Sequence, residues 1–257
     1  MKRIIQKSNS FIKDLLFVSR VGILLAPFRH LLRFLLNFSL LSSWINKHNH
    51  KIEFSDFYHP FRSYEDRVKL HEYILKKEGL DHKPVHYLEF GVAGGYSFKW
   101  WSEACKNPQS RFWGFDTFEG LPEDWHFFKK GDMAYDIPSL ADGRARFIKG
   151  IFQDSLLPFL EEYHTEHYRT GEHAASGRDA DTVRVLHMDA DLYSSTLFAL
   201  TAMAPYLRNG DIIFFDEFNV PNHEFAAWNE FVRCYYIKYE VLGAVNNFYQ
   251  TCFKIIK

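Results

Sequence analysis

ProValHisTyrLeuGluPheGlyValAlaGlyGlyTyrSer, residues 84–97, carries the pattern that decides the fold: a short apolar run, an acid near its end, then a turn rich in glycine. Residues 84–90 read as a buried strand, and a helical pattern resumes over 97–105, so the chain passes from strand to helix through Gly91, Gly94 and Gly95. Glycines suit such a turn because a Cβ would keep a ligand away from the backbone N–H groups and the helix N-terminus. Any compact strand-to-helix connection could use them too. ArgPheTrpGlyPheAsp at 111–116 adds the second feature. An acid at the end of the next strand, Asp116, can accept hydrogen bonds from both hydroxyls of a ribose, so turn and acid together describe a nucleoside pocket.

Outward from this pair, helix and strand signals alternate. A helix is expected over 63–77 and another from 224, with strands at 146–152, 183–191 and 211–216 and a closing strand over 247–256. Such alternation predicts an α/β fold, a Rossmann-like doubly wound and mostly parallel sheet. In that fold the polar strand ends converge on one cleft. Residues 161–182, rich in Glu, His, Arg, Gly and Asp, read as a surface excursion.

Three carboxylates, Asp189, Asp216 and Glu217, fall at the ends of two adjacent strands, with Asp191 two residues beyond the first. An oxygen-only cluster of this kind suits Mg²⁺, which lowers the pKa of a bound hydroxyl. His187 lies two residues before Asp189, and period-2 geometry puts both side chains on one face, which makes it a candidate to assist proton removal. The alternative for His187 is a hydrogen-bonded core residue.

The chain is 257 residues long and 47% hydrophobic, enough for one catalytic-size domain. A net charge of -1 offers no basic field for nucleic acid. Three cysteines, Cys105, Cys234 and Cys252, form no CxxC pair, which fits a reducing, cytoplasmic setting. Residues 1–58 form a separate basic, apolar and helical segment ahead of the main domain, 59–257. Within residues 1–50, eight Lys and Arg face a single acid, Asp14. The longest uncharged run, Phe34 to Asn46, is 13 residues. That is short of the roughly 18 to 20 needed to span a bilayer, and Pro27 is expected to interrupt the helix. Two short amphipathic helices are the expectation, either lying on the anionic inner membrane face or packing on the domain or on a second subunit as a homo-oligomer.

Five ordered segments make the main domain resemble a known family. GluPheGlyValAlaGlyGlyTyrSer (89–97), GlyPheAspThrPheGluGlyLeuPro (114–122), GlyIlePheGlnAspSerLeuLeuPro (150–158), HisMetAspAlaAspLeuTyrSerSer (187–195) and PhePheAspGluPhe (214–218) are similar to those of the macrocin O-methyltransferase family of class I S-adenosylmethionine-dependent enzymes. The resemblance covers roughly 59–257. It implies that Glu89 and Gly91 lie beside the methionine part of S-adenosylmethionine, that Asp116 holds the ribose, and that Phe115, Thr117, Gly150 and Phe152 surround the adenine. It also implies that Asp189, Asp216 and Glu217 bind a divalent metal and that Asp191 is the base. The acceptor would be the hydroxyl of a sugar or glycosylated small molecule, and residues 119–128 would close over the cofactor. One position departs from the family pattern, which has Asp where this chain has Glu217. Two other readings remain: a metal-dependent glycosyltransferase using AspAlaAsp at 189–191, and a non-catalytic, membrane-associated interaction protein.

Overall fold

The computed structural model of the chain describes residues 2–125, 127–167 and 181–256. Its strands are β1 (Phe54–Ser55), β2 (Val85–Phe90), β3 (Arg111–Asp116), β4 (Ala145–Lys149), β5 (Val183–Met188), β6 (Ile212–Phe215), β7 (Lys238–Val245) and β8 (Gln250–Ile256). They form one sheet in the order β1-β7-β8-β6-β5-β2-β3-β4, parallel except where β8 runs against β6 and β7. The expected doubly wound, mostly parallel α/β fold is therefore present. β2 lies between β5 and β3, so consecutive crossovers leave it in opposite directions and a crevice opens at its carboxyl end.

Period-2 alternation divides each central strand between two cores. Leu88, Phe90, Phe115, Leu186, Met188 and Phe215 face one layer, and Val85, Tyr87, Phe112, Val185 and Phe214 face the other. Parallel strands buried on both faces read as continuous apolar runs, which is why these were legible. The helices of the domain are α4 (Asp66–Glu78), α5 (Tyr96–Ala104), α6 (Phe152–His167), α7 (Tyr193–Met203) and α8 (Glu224–Tyr235).

Several boundaries differ from the sequence reading: the strand expected over 183–191 stops at Met188, and the one expected over 247–256 starts at Gln250. The strand expected over 146–152 stops at Lys149, because Gly150 takes φ +139° and Phe152 already begins α6. The expected excursion at 161–182 splits: 161–167 complete α6, and 168–180 lie outside the described residues.

Ahead of the domain, three helices stand where two short ones were expected: α1 (Lys2–Val18) and α3 (Arg29–His48) are long, and α2 (Val21–Leu25) is a five-residue piece between them. Pro27 does not break the run, because it sits in the first turn of a 3-10 segment, Ala26–Phe28, where its missing N–H costs no helical bond. By length and composition alone, the run Val21–Lys51 is apolar enough to cross a membrane. Its C-terminal part, however, docks on the domain. Leu41 is buried in the main core, Trp44 packs on Phe218 at 4.9 Å, and the Trp44 indole N–H donates to Tyr239 Oη at 2.8 Å.

Trp101 on α5 is fully buried and stacks on Tyr87 with centroids 5.6 Å apart. Trp101→Ala should lower the unfolding free energy by about 3–5 kcal/mol, measured as a reduced urea midpoint at unchanged slope.

Candidate active site

One cavity of about 460 Å³ opens at the carboxyl ends of β2, β3, β5 and β6. Its floor depends on how closely two of those ends approach. Gly91 has φ +93°, and a Cβ built there would stand 1.8 Å from the Asp189 carbonyl oxygen. The Gly91 N–H donates to Phe115 O, and the Asp189 N–H to Phe90 O, both at 2.9 Å. Only glycine lets the turn lie against the end of β5.

Asp116 fastens the same turn to β3. Its Oδ2 accepts the Val92 and Ala93 N–H groups, each at 2.8 Å, and its Oδ1 accepts the Phe118 N–H at 2.9 Å. The carboxylate lines the cavity while it organises the loop. Beside it, the Thr117 hydroxyl donates to Gly120 O at 2.6 Å, and Leu121, Pro122 and Trp125 form a wall. That wall belongs to the segment expected to cover the cofactor.

Glu89, Asp189, Asp191 and Glu217 line the cavity together with Asp116, and Arg67 is the sole Lys or Arg among the described lining residues. Burial pushes Glu89 up to about 8, opposed by a hydrogen bond from the Tyr87 hydroxyl. Burial and the charges of Glu217 and Asp216 push Asp191 up to about 8, and burial pushes Glu217 to about 7. Asp189 is also raised, by burial and then by Asp216 and Asp191. Asp191 holds φ +56°, a conformation uncommon outside glycine, which turns its backbone at the cavity edge.

The expected metal trio is not preassembled. Among the described residues, no three His, Cys, Asp or Glu side chains converge closely enough to hold an ion. Asp216 is engaged elsewhere: its Oδ2 accepts the Tyr64 hydroxyl at 3.1 Å and lies 3.7 Å from Arg67, and Gln250 Nε2 approaches its Oδ1 at 3.4 Å. Glu217 accepts the Tyr249 hydroxyl at Oε1, while its Oε2 is buried without a hydrogen-bond partner. These donors match a hard cation in kind, and Asp216 would have to release Tyr64 to complete the set.

A family model described as a methyltransferase domain matches residues 88–218, just over half of the chain. The chain belongs to the methyltransferase-domain family. The match spans the glycine turn, Asp116 and AspAlaAsp at 189–191, so the element that suggested a glycosyltransferase lies inside a methyltransferase domain. No curated protein matches in sequence. Among solved structures, the calicheamicin methyltransferase CalS11 is similar at 22% identity and TM-score 0.55, over 75% of this chain and 80% of that one. The O-methyltransferase NovP is similar at 20% identity and TM-score 0.51, over 76% and 79%. These likenesses show a shared fold.

Several sequence candidates stand away from the cavity of this methyltransferase domain. His187 is not a wall residue: it is buried beside β2, its Nδ1 is 2.7 Å from the Tyr87 hydroxyl, and burial lowers it to about 3. Held neutral inside the sheet, it positions Tyr87 and cannot reach an acceptor. Phe115 stacks on Phe90 at 5.1 Å in the core, and neither Gly95 nor Gly150 reaches the cavity. Gly95, at φ +78°, serves as the N-cap of α5. Gly94, Thr117 and Phe152 do line the cavity. Sequence reasoning missed Tyr64, two residues ahead of α4, Arg67 in the first turn of α4, and Met133 and Tyr135 from the loop after β3. Arg67 lies between the rings of Tyr64 and Tyr96, at 4.9 and 4.8 Å. Tyr64 and Arg67 stand three residues apart, and no motif distinguished them from an ordinary helix face.

Two outcomes follow. Gly91→Ala should abolish binding of S-adenosylhomocysteine and lower the melting temperature, whereas Gly94→Ala should keep the fold, since its Cβ meets nothing nearer than Tyr135 at 3.8 Å; scanning calorimetry and titration calorimetry read the two. The second concerns pH. Glu89 has a folded pKa above its unfolded value, so its contribution to stability is complete below the unfolded pKa and is lost as pH rises through about 8. The ligand-free melting temperature should therefore fall from about pH 5 to about pH 8 and level off above it. Glu89→Gln, which still accepts the Tyr87 hydrogen bond, should flatten part of that fall in a fluorimetric melt.

Proposed function

We propose that the protein transfers a methyl group from S-adenosylmethionine to a hydroxyl oxygen, as the macrocin family does, and that the acceptor is a sugar or glycosylated small molecule. One observation carries the reading: a single cavity joins the glycine turn and Asp116 at one end to Asp189, Asp191 and Glu217 at the other. Five carboxyl groups facing Arg67 match a ligand that brings both a sulfonium and an ammonium charge. A nucleotide sugar would add phosphates to a cavity already rich in acid, which disfavours the glycosyltransferase reading. Intact acids at both ends also speak against a purely structural domain. The cysteine content supports a cytoplasmic enzyme.

When bound, S-adenosylmethionine supplies an electrophilic methyl carbon. Glu89 sits where it would receive the ammonium end, and Asp116 with Thr117 would take the nucleoside end. Leu121, Pro122 and Trp125 exclude water above them, and Tyr64, Arg67 and Tyr96 close the opposite wall. Alignment of the two reactants supplies the larger part of the acceleration, on the order of 7 to 11 kcal/mol in favourable cases. Asp191 receives the acceptor proton at its carboxylate, worth about 10²- to 10⁴-fold. A hard divalent cation would be held by Asp189, Glu217 and a released Asp216, and it would lower the pKa of the acceptor hydroxyl.

Titration calorimetry should show S-adenosylhomocysteine binding to the full chain, and its absence would remove the reading. Asp191→Asn should lower kcat by about 10²- to 10⁴-fold while leaving S-adenosylhomocysteine affinity within about twofold. Full activity in that variant would exclude Asp191 as the base. Loss of turnover on chelation, restored by Mg²⁺, would support the cation, and turnover untouched by chelation would remove it.

A further inference from the structure

The N-terminal helices carry the largest feature that methyl transfer does not use. From residue 9 to residue 36 every side chain except Ala26 is exposed, including Phe11, Phe17, Val18, Ile23, Leu24, Phe28 and Leu36, each more than half exposed. Exposed apolar area of this extent costs free energy in water and marks a surface that is covered in use. The helix surface changes character along α3. At 100° per residue, Arg33, Asn37, Leu41 and Trp44 share one side, and this side meets the domain. Arg33 lies over the Tyr193 ring at 4.9 Å, Asn37 donates to Asn222 at 2.9 Å, and Leu41 and Trp44 enter the core. The opposite side presents Phe28, Leu31, Leu32 and Leu35, and then becomes polar at Ser39 and Ser42.

We propose that this outward face lies in the surface of an anionic lipid bilayer and that the methyl acceptor is itself membrane-borne. The second half rests on the reading of the domain as an O-methyltransferase. Charge selects the occupant. Lys13, Arg20, Arg29 and Arg33 flank the apolar positions, with Asp14 the one acid through residue 50. Arg33 is held over Tyr193 on the docked side, which leaves Lys13, Arg20 and Arg29; a second copy laid on the outward face would bring these cations against their own kind, whereas lipid phosphates would pair with them. Docking also decides how the helix sits. The part of α2 and α3 ahead of the first contact with the domain, residues 21–32, is 12 residues, about 18 Å at 1.5 Å per residue. That is short of the roughly 30 Å hydrocarbon layer, and Arg29 interrupts it. The helix therefore lies in the interface and does not cross it.

The place of attachment gives the substrate class. Asn222 and Phe218 follow Glu217, and Tyr193 follows Asp191, so α3 is clamped to the two loops that extend from the acceptor-end acids. An enzyme held this way presents the acceptor end of its cavity next to the lipid surface. The matching substrate is an amphiphile: a hydroxyl on a polar headgroup, a sugar in the reading above, with an apolar tail retained in the bilayer. The transfer itself is unchanged, with the hydroxyl oxygen forming the new bond to carbon as the sulfonium bond breaks and Asp191 receives the proton.

Flotation of the full chain with mixed phosphatidylglycerol and phosphatidylcholine vesicles tests the contact, with pure phosphatidylcholine vesicles as the comparison. The wild type should float with the anionic vesicles, and Leu31→Glu with Leu35→Glu should weaken that partitioning about tenfold or more. Unchanged S-adenosylhomocysteine affinity by calorimetry should show that this variant is folded. Failure to float, or equal flotation of wild type and variant, overturns the lipid contact; a wild-type dimer that the variant dissolves, seen by light scattering without vesicles, assigns the face to a second copy instead. For the acceptor, membranes of the native host are incubated with S-adenosylmethionine labelled in the methyl group. Label should enter the organic-extractable fraction and fall with the variant, and label confined to the aqueous fraction overturns a membrane-borne acceptor. Failure of wild-type S-adenosylhomocysteine binding would remove the methyl-transfer reading and the acceptor class with it, while flotation would still decide the lipid contact.

Discussion

The burial of several carboxyl groups side by side governs this molecule: burial is the first cause that raises Glu89, Asp189, Asp191 and Glu217, and their mutual repulsion adds to it. Glu89, Asp116, Asp189, Asp191, Asp216 and Glu217 gather at the carboxyl ends of four strands, and Arg67 is the cation set among them. Each acid is placed by a strand or a turn that the fold requires for other reasons, so the repulsion cannot relax by moving one side chain. The protein answers it locally. Tyr87 donates to Glu89, Tyr64 to Asp216 and Tyr249 to Glu217, and Glu224 accepts the Glu217 N–H at 2.9 Å. Hydroxyl donors reduce the cost of burial without adding charge, which leaves the site short of positive charge and ready for a cationic ligand.

The parts of the fold that were legible in the sequence are those in which one force dominates. β2, β3, β5 and β6 are apolar runs buried on both faces and ended by polar residues, and each was placed to within a few residues. α7, TyrSerSerThrLeuPheAlaLeuThrAlaMet, is apolar around most of its circumference, so no periodic face announced it. α6 contains Pro158 and ends among Glu and His residues, which disguised its last turns as a loop. β1 consists of two residues and exists only because it pairs with β7.

The site shows the same division more sharply. Gly91, Asp116 and the acids after β5 and β6 stand at strand ends, where position alone brings side chains to one cleft. His187 was assigned to the face of Asp189 correctly in period, but periodicity does not say how far along the strand the cavity reaches. In register His187 pairs with Glu89, one layer below Asp189, and there the sheet is closed over by His71 and Phe214. Phe115 stands back from the cavity for a related reason: its side chain points into the core that Phe90 and Phe159 fill. Arg67 and Tyr64 were invisible because their role depends on where α4 docks, a long-range fact that no local pattern carries.

The N-terminal helices connect to this site through the acceptor loops. Buried apolar contacts at Leu41 and Trp44 fix α3 against β8 and the loop after β6, while the polar bond from Asn37 to Asn222 ties it one turn nearer its own N-terminus. Whatever covers the outward face of α3 therefore bears on the loop that carries Glu217 and its neighbours. A lipid surface in that place would do two things at once: cover apolar area that water leaves costly, and hold an amphiphilic acceptor at the end of the cavity where Asp191 stands. The direction of the argument is set by geometry. The helix docks at its C-terminal half, on the acceptor side, and leaves its basic and apolar half free.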